Sequence, residues 1–357
     1  MTTQTSTITS PREMYDALKV RLKDIVPDVE LFYKAELAAQ INQLKQERHA
    51  VILGHNYMEP TLFHSIPDYV GDSLELSRKA AQTDKDIIIF CGVRFMAETA
   101  KILNPGKTVL IPAKRAGCSL AASITAEDVR QLKARYPGVP VVAYVNTYAD
   151  VKAETDICCT SSNAVAVVQS LQSEHLIFLP DEYLARNVAR ETGKTIIFPT
   201  KQPRADEGEL KFDMVGWHGR CEVHEKFTVK DIENVRAQFP DVAILAHPEC
   251  SPEVVAAADF SGSTTALVEY VERTQAPRYL LLTECSIGDN IAAANPDKEM
   301  LRLCSVRCPH MNEITLDDTL KALQHTQYVV DVPEDIRVRA FKSVERMIAI
   351  GASGAKD

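Results

Sequence analysis

The sequence contains no apolar run long enough to cross a bilayer. Its longest runs, such as Ile87-Ile-Ile-Phe-Cys-Gly-Val93, fall far short of the roughly 18 residues a span needs. The first thirty residues carry no apolar core with a small-residue cleavage site, so no secretory leader is expected. There is no Lys/Arg run with interleaved aromatics, and the net charge is −9. That balance argues against a nucleic-acid surface. What is present is ordinary for a globular chain: 357 residues, 45% hydrophobic and 25% charged. The apolar content is too high for general disorder. The length suggests two or three units at about 150 residues each.

Nine cysteines stand out, at Cys91, Cys118, Cys158, Cys159, Cys221, Cys250, Cys285, Cys304 and Cys308. An odd count without a leader reads as free thiols in a cytoplasmic protein rather than a disulfide framework. Cys91, Cys158 and Cys159 sit in or beside apolar strands and read as small buried hydrophobes. Cys118, Cys221 and Cys308 lie in loop contexts: Gly117-Cys118, Arg220-Cys221 and Cys308-Pro309.

The chain begins with a Thr/Ser-rich stretch, expected to be frayed over residues 1–10. Residues 11–48 read as mostly helix, with Ser10-Pro11 as a start signal and Met14, Leu18 and Leu22 at helical spacing. Short apolar strands then alternate with helical stretches, the pattern of parallel α/β architecture. A repeat runs through them. Three strands end in polar residues, at His55-Asn-Tyr57, Tyr144-Val-Asn146 and His247-Pro-Glu249. A small polar cluster follows each: Gly71-Asp72-Ser73 at 18 residues from His55, Thr160-Ser161-Ser162 at 15 from Asn146 to Ser161, and Gly262-Ser263-Thr264 at 17 from His247. Each cluster opens an apparent helix, a second strand follows, and each unit closes near a cysteine. Lys107-Thr-Val-Leu-Ile-Pro112 echoes Lys194-Thr-Ile-Ile-Phe-Pro199, and Gln202 to Trp217 reads as an insertion in the middle unit. The expected division is an N-terminal helical extension over 1–35, αβα units over 36–133, 134–232 and 233–325, and a C-terminal helical segment over 326–357.

Ligands of parallel α/β sheets bind beyond the carboxyl ends of the strands. Three units about a pseudo-threefold axis would aim His55, Tyr57, Tyr144, Asn146, His247 and Glu249 into one central cleft. The Ser/Thr clusters at helix N-termini suit an anionic substrate, where free N–H groups and the helix dipole favour negative charge. One cysteine per unit is poor spacing for a local zinc knuckle. It suits three thiolates converging on an axis, where they can hold three irons of a [4Fe-4S] cluster and leave the fourth open as a Lewis acid.

In combination, these motifs resemble the quinolinate synthase (quinolinate synthetase A) family: Gly54-His-Asn-Tyr57, Gly71-Asp-Ser-Leu-Glu-Leu76, Gly92-Val-Arg-Phe-Met-Ala-Glu-Thr-Ala-Lys-Ile-Leu103, Tyr144-Val-Asn146, Thr160-Ser161-Ser162, His247-Pro-Glu249, Gly262-Ser-Thr264 and Cys308-Pro309. The resemblance runs from about residue 45 to about residue 350. It implies a pseudo-threefold arrangement of three αβα units. It also implies condensation of iminoaspartate with dihydroxyacetone phosphate, with loss of phosphate and two waters, to give quinolinate for de novo NAD synthesis. The implied cofactor is a [4Fe-4S] cluster on Cys118, Cys221 and Cys308. The implied substrate cavity holds His55, Tyr57, Ser73, Tyr144, Asn146, Ser161, His247, Glu249 and Thr264. Within it, Glu249 is the expected general base, and Tyr57 and His55 are expected to shuttle protons. Ser73, Ser161 and Thr264 would hold phosphate and carboxylates, Tyr144 and Asn146 would orient the intermediate, and His247 would neutralise a carboxylate or act as an acid. Coupling to an L-aspartate oxidase and a homodimeric state are further expectations.

One departure stands out. Some relatives carry the third ligand in a C-x2-C-x2-C run, whereas here it is Cys304-Ser-Val-Arg-Cys308. Cys308-Pro309 favours Cys308 as ligand and leaves Cys304 as a nearby thiol. His224 either lines the cavity or is structural. Two other readings stay open: a zinc-dependent aldolase using His55 and His247, and a non-enzymatic thiol or iron–sulfur redox sensor using Cys304 and Cys308.

Overall fold

A computed structural model describes residues 5–199, 212–302 and 306–351. Cys304 and most of the insertion that begins at Gln202 lie outside the described residues. Two helices open the chain. Helix α1 (Pro11–Leu22) is capped by Ser10, has Pro at its first turn and buries Met14, Leu18 and Leu22. Helix α2 (Asp28–Glu47) packs against it. The segment before α1 was expected to fray, but Thr5 and Ser6 are buried. Asn42 donates to the carbonyls of Thr5 and Ile8, and Lys45 to that of Ser6, so two buried side chains on α2 satisfy the segment's backbone.

Three parallel sheets follow, flanked by helices. The first comprises β1 (Ala50–His55), β2 (Tyr69–Gly71), β3 (Ile87–Cys91) and β4 (Thr108–Leu110), ordered β2-β1-β3-β4. Its connections are the short α3 (Pro60–Phe63), α4 (Ser73–Gln82) and α5 (Arg94–Leu103), and α6 (Ala126–Arg135) leads out. The second comprises β5 (Val141–Tyr144), β6 (Ile157–Cys159), β7 (Leu176–Leu179), β8 (Ile196–Ile197) and β9 (Met214–Val215). Its helices are α7 (Ala149–Ala153), α8 (Ala164–Ser170), α9 (Glu182–Thr192) and α10 (Val229–Gln238). The third comprises β10 (Val242–Ala246), β11 (Phe260–Ser261), β12 (Arg278–Leu282) and β13 (Glu299–Leu301), ordered β11-β10-β12-β13. Its helices are α11 (Pro252–Ala257), α12 (Thr264–Arg273), α13 (Ser286–Ala294) and α14 (Leu316–His325). Helix α15 (Glu334–Ala349) packs over β6, α5 and α7, tying the first unit to the second. Burial on both faces explains why β1, β3, β5 and β7 read as continuous apolar runs rather than alternating ones. Among the described residues no helix is long and apolar enough to cross a membrane.

The middle sheet departs from the expected echo. Its order is β6-β5-β7-β9-β8, so β9 occupies the place beside β7 that β4 holds beside β3. Strand β8, the match to β4 in sequence, is displaced to the edge. The insertion thus ends in a strand, docked by Leu176 N–H donating to Asp213 O and by Leu176 pairing with Met214.

Small devices fix a common register. Asp68, Asp156 and Asp259 stand just ahead of the edge strands. Each carboxylate accepts from a backbone N–H of the neighbouring strand, at Ile52, Val141 and Ile244, all at 2.8 Å. Each aspartate N–H returns a bond to the same residue's carbonyl. Three prolonged loops also match. The carbonyls of Ala116, Gly219 and Val306, each two residues before a cysteine, accept from Arg94, Glu182 and Cys285. Thr125, Thr228 and Thr315, each seven residues after the cysteine, cap α6, α10 and α14 and receive the N–H of an aspartate three residues on.

Candidate active site

This register sets which side chains are equivalent. His55, Tyr144 and His247 hold one position at the strand ends, and Tyr57, Asn146 and Glu249 the next, two residues on. Asn146 is therefore the counterpart of Tyr57. Tyr144, 17 residues before Ser161, is the counterpart of His55. Ser73, Ser161 and Thr264 each lie five residues after a bracing aspartate. Ser73 and Thr264 begin α4 and α12. Ser161 does not begin a helix: α8 starts at Ala164, and Ser161 lies in the preceding turn.

One cavity gathers all twelve of these side chains: His55, Tyr57, Ser73, Tyr144, Asn146, Ser161, His247, Glu249 and Thr264, with Cys118, Cys221 and Cys308. His224 lines it too. The carboxyl ends of three strands and the three cysteine loops thus converge on one place. Cross-unit bonds close the wall. Ser162 Oγ donates to Asp72 at 2.5 Å, and Asn56 Nδ2 to Thr264 Oγ1 at 3.0 Å. The cysteine loops are tied pairwise: Trp217 Nε1 donates to Ser123 O, His310 pairs with Glu222, and Arg115 with Glu313.

A polar chain crosses the cavity. Tyr57 OH lies 2.5 Å from Thr283 Oγ1, which lies 2.8 Å from His224 Nε2. His224 Nδ1 is 2.8 Å from Glu249 Oε2, off the axis of a straight hydrogen bond. Tyr144 OH donates to Glu249 Oε1 at 2.5 Å, and Asn146 Nδ2 reaches the same oxygen at 3.5 Å. Burial would raise the Glu249 carboxyl, but the His224 and His247 rings beside it and the Tyr144 hydroxyl outweigh burial and hold the group below the usual carboxylate range. Burial, then the Glu249 charge, push the Tyr57 and Tyr144 hydroxyls well above their usual range, so both remain proton donors. Burial lowers His55 to about 4 and His247 to about 3. Both rings are neutral, and each Nδ1 accepts a backbone N–H two residues on, from Tyr57 and Glu249. That fixes the proton on Nε2 of each ring.

Thr283 was not a sequence expectation. It is the residue after β12, so the strand-end rule that found His55 and His247 would have reached it had it been applied to the inner strand of each unit.

The cysteines occupy identical local structure. Cys118 Sγ accepts the N–H of Ala121, Cys221 that of His224 and Cys308 that of Met311, each three residues on in a short 3-10 turn. Each cysteine carbonyl accepts from the fourth residue on. Burial raises Cys118 to about 12 and Cys308 to about 11, and Cys221 well above its usual value. Nearby positive charge is what would hold them as thiolates. Among the described residues, the compact group able to share one ion is Cys221, His224 and Glu249, whose ligand atoms lie within 4.8 Å of one another. The three sulfurs do not form such a group. They border one cavity.

The fold and cavity define an α/β enzyme with a candidate active site at the strand carboxyl ends of three sheets and three cysteines on its wall. Residues 39–349 match the family described as quinolinate synthetase A protein. Over 330 residues the chain is 53% identical to quinolinate synthase 2 of Mesorhizobium japonicum, covering 92% of this chain and 96% of that one. It is 53% identical over 310 residues to the quinolinate synthase of Xylella fastidiosa, covering 87% and 86%. It is 49% identical over 332 residues to that of Caulobacter vibrioides, covering 92% and 85%. The chain belongs to the quinolinate synthetase A family.

Proposed function

We propose that this enzyme makes quinolinate, condensing iminoaspartate with dihydroxyacetone phosphate and releasing phosphate and two waters, in de novo NAD biosynthesis. The supporting observation is the convergence of three register-equivalent cysteines with the Tyr57–Thr283–His224–Glu249–Tyr144 chain in one cavity. Cys118, Cys221 and Cys308 would hold a [4Fe-4S] cluster. When bound, such a cluster supplies an open, Lewis-acidic iron that assists loss of hydroxide.

The chain's own residues supply binding and proton transfer. Ser73 and Thr264, at the first turns of α4 and α12, suit phosphate and carboxylate oxygens. Ser161 adds a hydroxyl on the same ring. The Nε2–H groups of His55 and His247 donate to substrate oxygens without adding charge. Ionised Glu249 is the base for C–H and N–H protons, since condensation and dehydration both move protons beside the bond being made. Tyr57 donates at the leaving hydroxyl or the triose carbonyl, and Thr283 and His224 resupply its proton. Tyr144 and Asn146 orient the Glu249 carboxylate. The three units belong to the same reading: residues 36–133, 134–232 and 233–325 around a pseudo-threefold axis, with iminoaspartate supplied by an L-aspartate oxidase.

The test is anaerobic purification with iron and sulfide quantitation and a quinolinate assay, beside Cys118→Ser, Cys221→Ser, Cys308→Ser and Cys304→Ser. The expected result is about four irons and four sulfides per chain, lost in the first three variants and kept in the fourth, with quinolinate formed only where iron is held. One zinc per chain without sulfide would move the metal to Cys221, His224 and Glu249 and overturn the proposal.

A further inference from the structure

The residues at the second strand-end position, Tyr57, Asn146 and Glu249, share a feature of their backbone. The carbonyls on either side of each are held by one buried side-chain donor. Asn290 Nδ2 donates to Asn56 O at 3.2 Å and Met58 O at 2.9 Å, flanking Tyr57. Asn187 Nδ2 donates to Pro248 O at 2.9 Å and Cys250 O at 3.0 Å, flanking Glu249. Lys152 Nζ donates to Val145 O at 2.8 Å and to Thr147 O, flanking Asn146. All three donors are buried.

The two asparagines are register equivalents. Asn187 stands eight residues beyond Leu179 and Asn290 eight beyond Leu282, and these anchor residues pair with Ala143 and Ala246 of the adjoining strands. They also run in one direction around the molecule: α9 of the second unit holds a loop of the third, and α13 of the third holds a loop of the first. A ring requires α5 of the first unit to hold the loop of the second. The equivalent residue is Thr99, eight beyond Cys91, which pairs with Gly54. Thr99 is too short to bridge two carbonyls, and its hydroxyl donates to Phe95 O within its own helix. At this junction alone the donor comes from the loop's own short helix, as Lys152. Its charge has a neighbour on α5, Glu98, whose Oε2 accepts the N–H of Ala149 and whose Oε1 accepts from Arg94.

We propose that Lys152, Asn187 and Asn290 are positioning residues that set Asn146, Glu249 and Tyr57 for catalysis, and that Lys152 supplies the donor that α5 lacks at Thr99. Without its donor, a loop exposes two carbonyls with no partner and relaxes away from the cavity wall. A displacement near 1 Å at a catalytic group costs about 100-fold in rate. The kinetic arm rests on the quinolinate synthase reading, and hydrogen exchange does not.

The experiment compares wild type, Lys152→Met, Asn187→Leu, Asn290→Leu and Thr99→Asn/Lys152→Met, each loaded with iron anaerobically. Val188→Ala, a core truncation beside Asn187, controls for stability. Each donor variant is expected to keep its iron and its KM within about threefold while kcat falls about 100-fold. Exchange should quicken at residues 145–147, 248–250 or 56–58 respectively. Val188→Ala should keep its kcat, and Thr99→Asn/Lys152→Met should regain kcat to within about threefold of wild type by restoring an amide at the equivalent position. A donor variant that folds with unchanged kcat and unchanged local exchange overturns the proposal. So does a double variant that folds but stays as slow as Lys152→Met. Should neither Lys152 variant fold, Asn187→Leu and Asn290→Leu decide by the same readouts. A wild type that holds iron but makes no quinolinate refutes the functional reading instead, and the exchange data still decide this one.

Discussion

Thr283 is the link in the site that can be cut with least disturbance. Its hydroxyl bridges Tyr57 OH at 2.5 Å and His224 Nε2 at 2.8 Å, and the side chain is buried. After Glu249 takes a substrate proton, it can return one to His224 Nδ1, 2.8 Å from its Oε2. His224 Nε2–H then donates to Thr283 as Thr283 donates to the Tyr57 oxygen, which restores the Tyr57 proton. Valine has nearly the shape of threonine, so Thr283→Val removes both bonds without opening a cavity. Two bonds at about 1 kcal/mol each set the stability loss at about 2 kcal/mol. The kinetic loss is larger, because Tyr57 can no longer be reprotonated through His224. A positioned acid or base contributes about 100-fold or more, equivalent to about 2.7 kcal/mol of barrier at 1.36 kcal/mol per tenfold. Thr283→Ser keeps the hydroxyl and is expected to remain within about fivefold of wild type. The assay is quinolinate formation by anaerobic enzyme of verified iron content, with stability from urea denaturation. A valine variant with full iron and a kcat within about threefold of wild type would refute the relay and leave Tyr57 to exchange protons with solvent.

Three other expectations follow from packing and charge. A Cβ on Gly219 would meet Pro180 O and Ser123 Oγ at 2.5 Å, so Gly219→Ala should cost about 2 kcal/mol and, two residues from Cys221, should lower iron retention as seen in the visible spectrum. Leu53→Ala, at a fully buried position in β1, should lower stability by about 3 kcal/mol in denaturant titrations. Glu154 bonds Arg339 on α15 at 2.8 Å and Arg130 on α6 at 3.0 Å; burial raises its carboxyl, but the two arginines outweigh burial and bring it below 4.5. Its contribution is therefore full above pH 4.5 and is lost as the pH falls through the lowered folded value, so the stability gap between wild type and Glu154→Gln should close on acidification below that point.

The long apolar strands and the helices between them were legible in the sequence, because a strand buried on both faces writes itself as an unbroken hydrophobic run. The edge strands β2, β6 and β11 were not, since two or three residues carry no periodicity. Their bracing aspartates were visible, and so was the Thr-x-x-Asp pattern seven residues beyond each cysteine, a stronger repeat than the polar clusters from which the units were counted. Counting from Asn146 gave a spacing of 15 and hid the equivalence of Tyr144 with His55 and His247. Thr283 is a single hydroxyl at the end of an apolar run and carries no local signature. Lys152 lies on a five-residue helix with charged neighbours and reads as a surface residue, yet it is fully buried, because α5 and α15, distant in sequence, pack against that helix.

The pattern of what repeats and what varies carries its own argument. Cysteine stands at the same position in all three units, with the same N–H donor three residues on. A metal centre bound through three equivalent sulfurs would need three copies of one environment, and the three matching cysteine turns offer them. The strand-end positions have diverged instead: His, Tyr, His at one, and Tyr, Asn, Glu at the next. A substrate without threefold symmetry needs one base, one acid and separate donors, and identical residues could not serve those roles together. The proposed clamp behind these positions uses a different donor at one junction, an ammonium where the other two use an amide. Selection on such a site would hold the distances between backbone carbonyls and donors more tightly than donor identity. The Thr99→Asn/Lys152→Met exchange measures that directly: recovery means that geometry decides, and a folded double variant that stays slow means that a donor at position 99 cannot stand in for Lys152, which overturns the proposal.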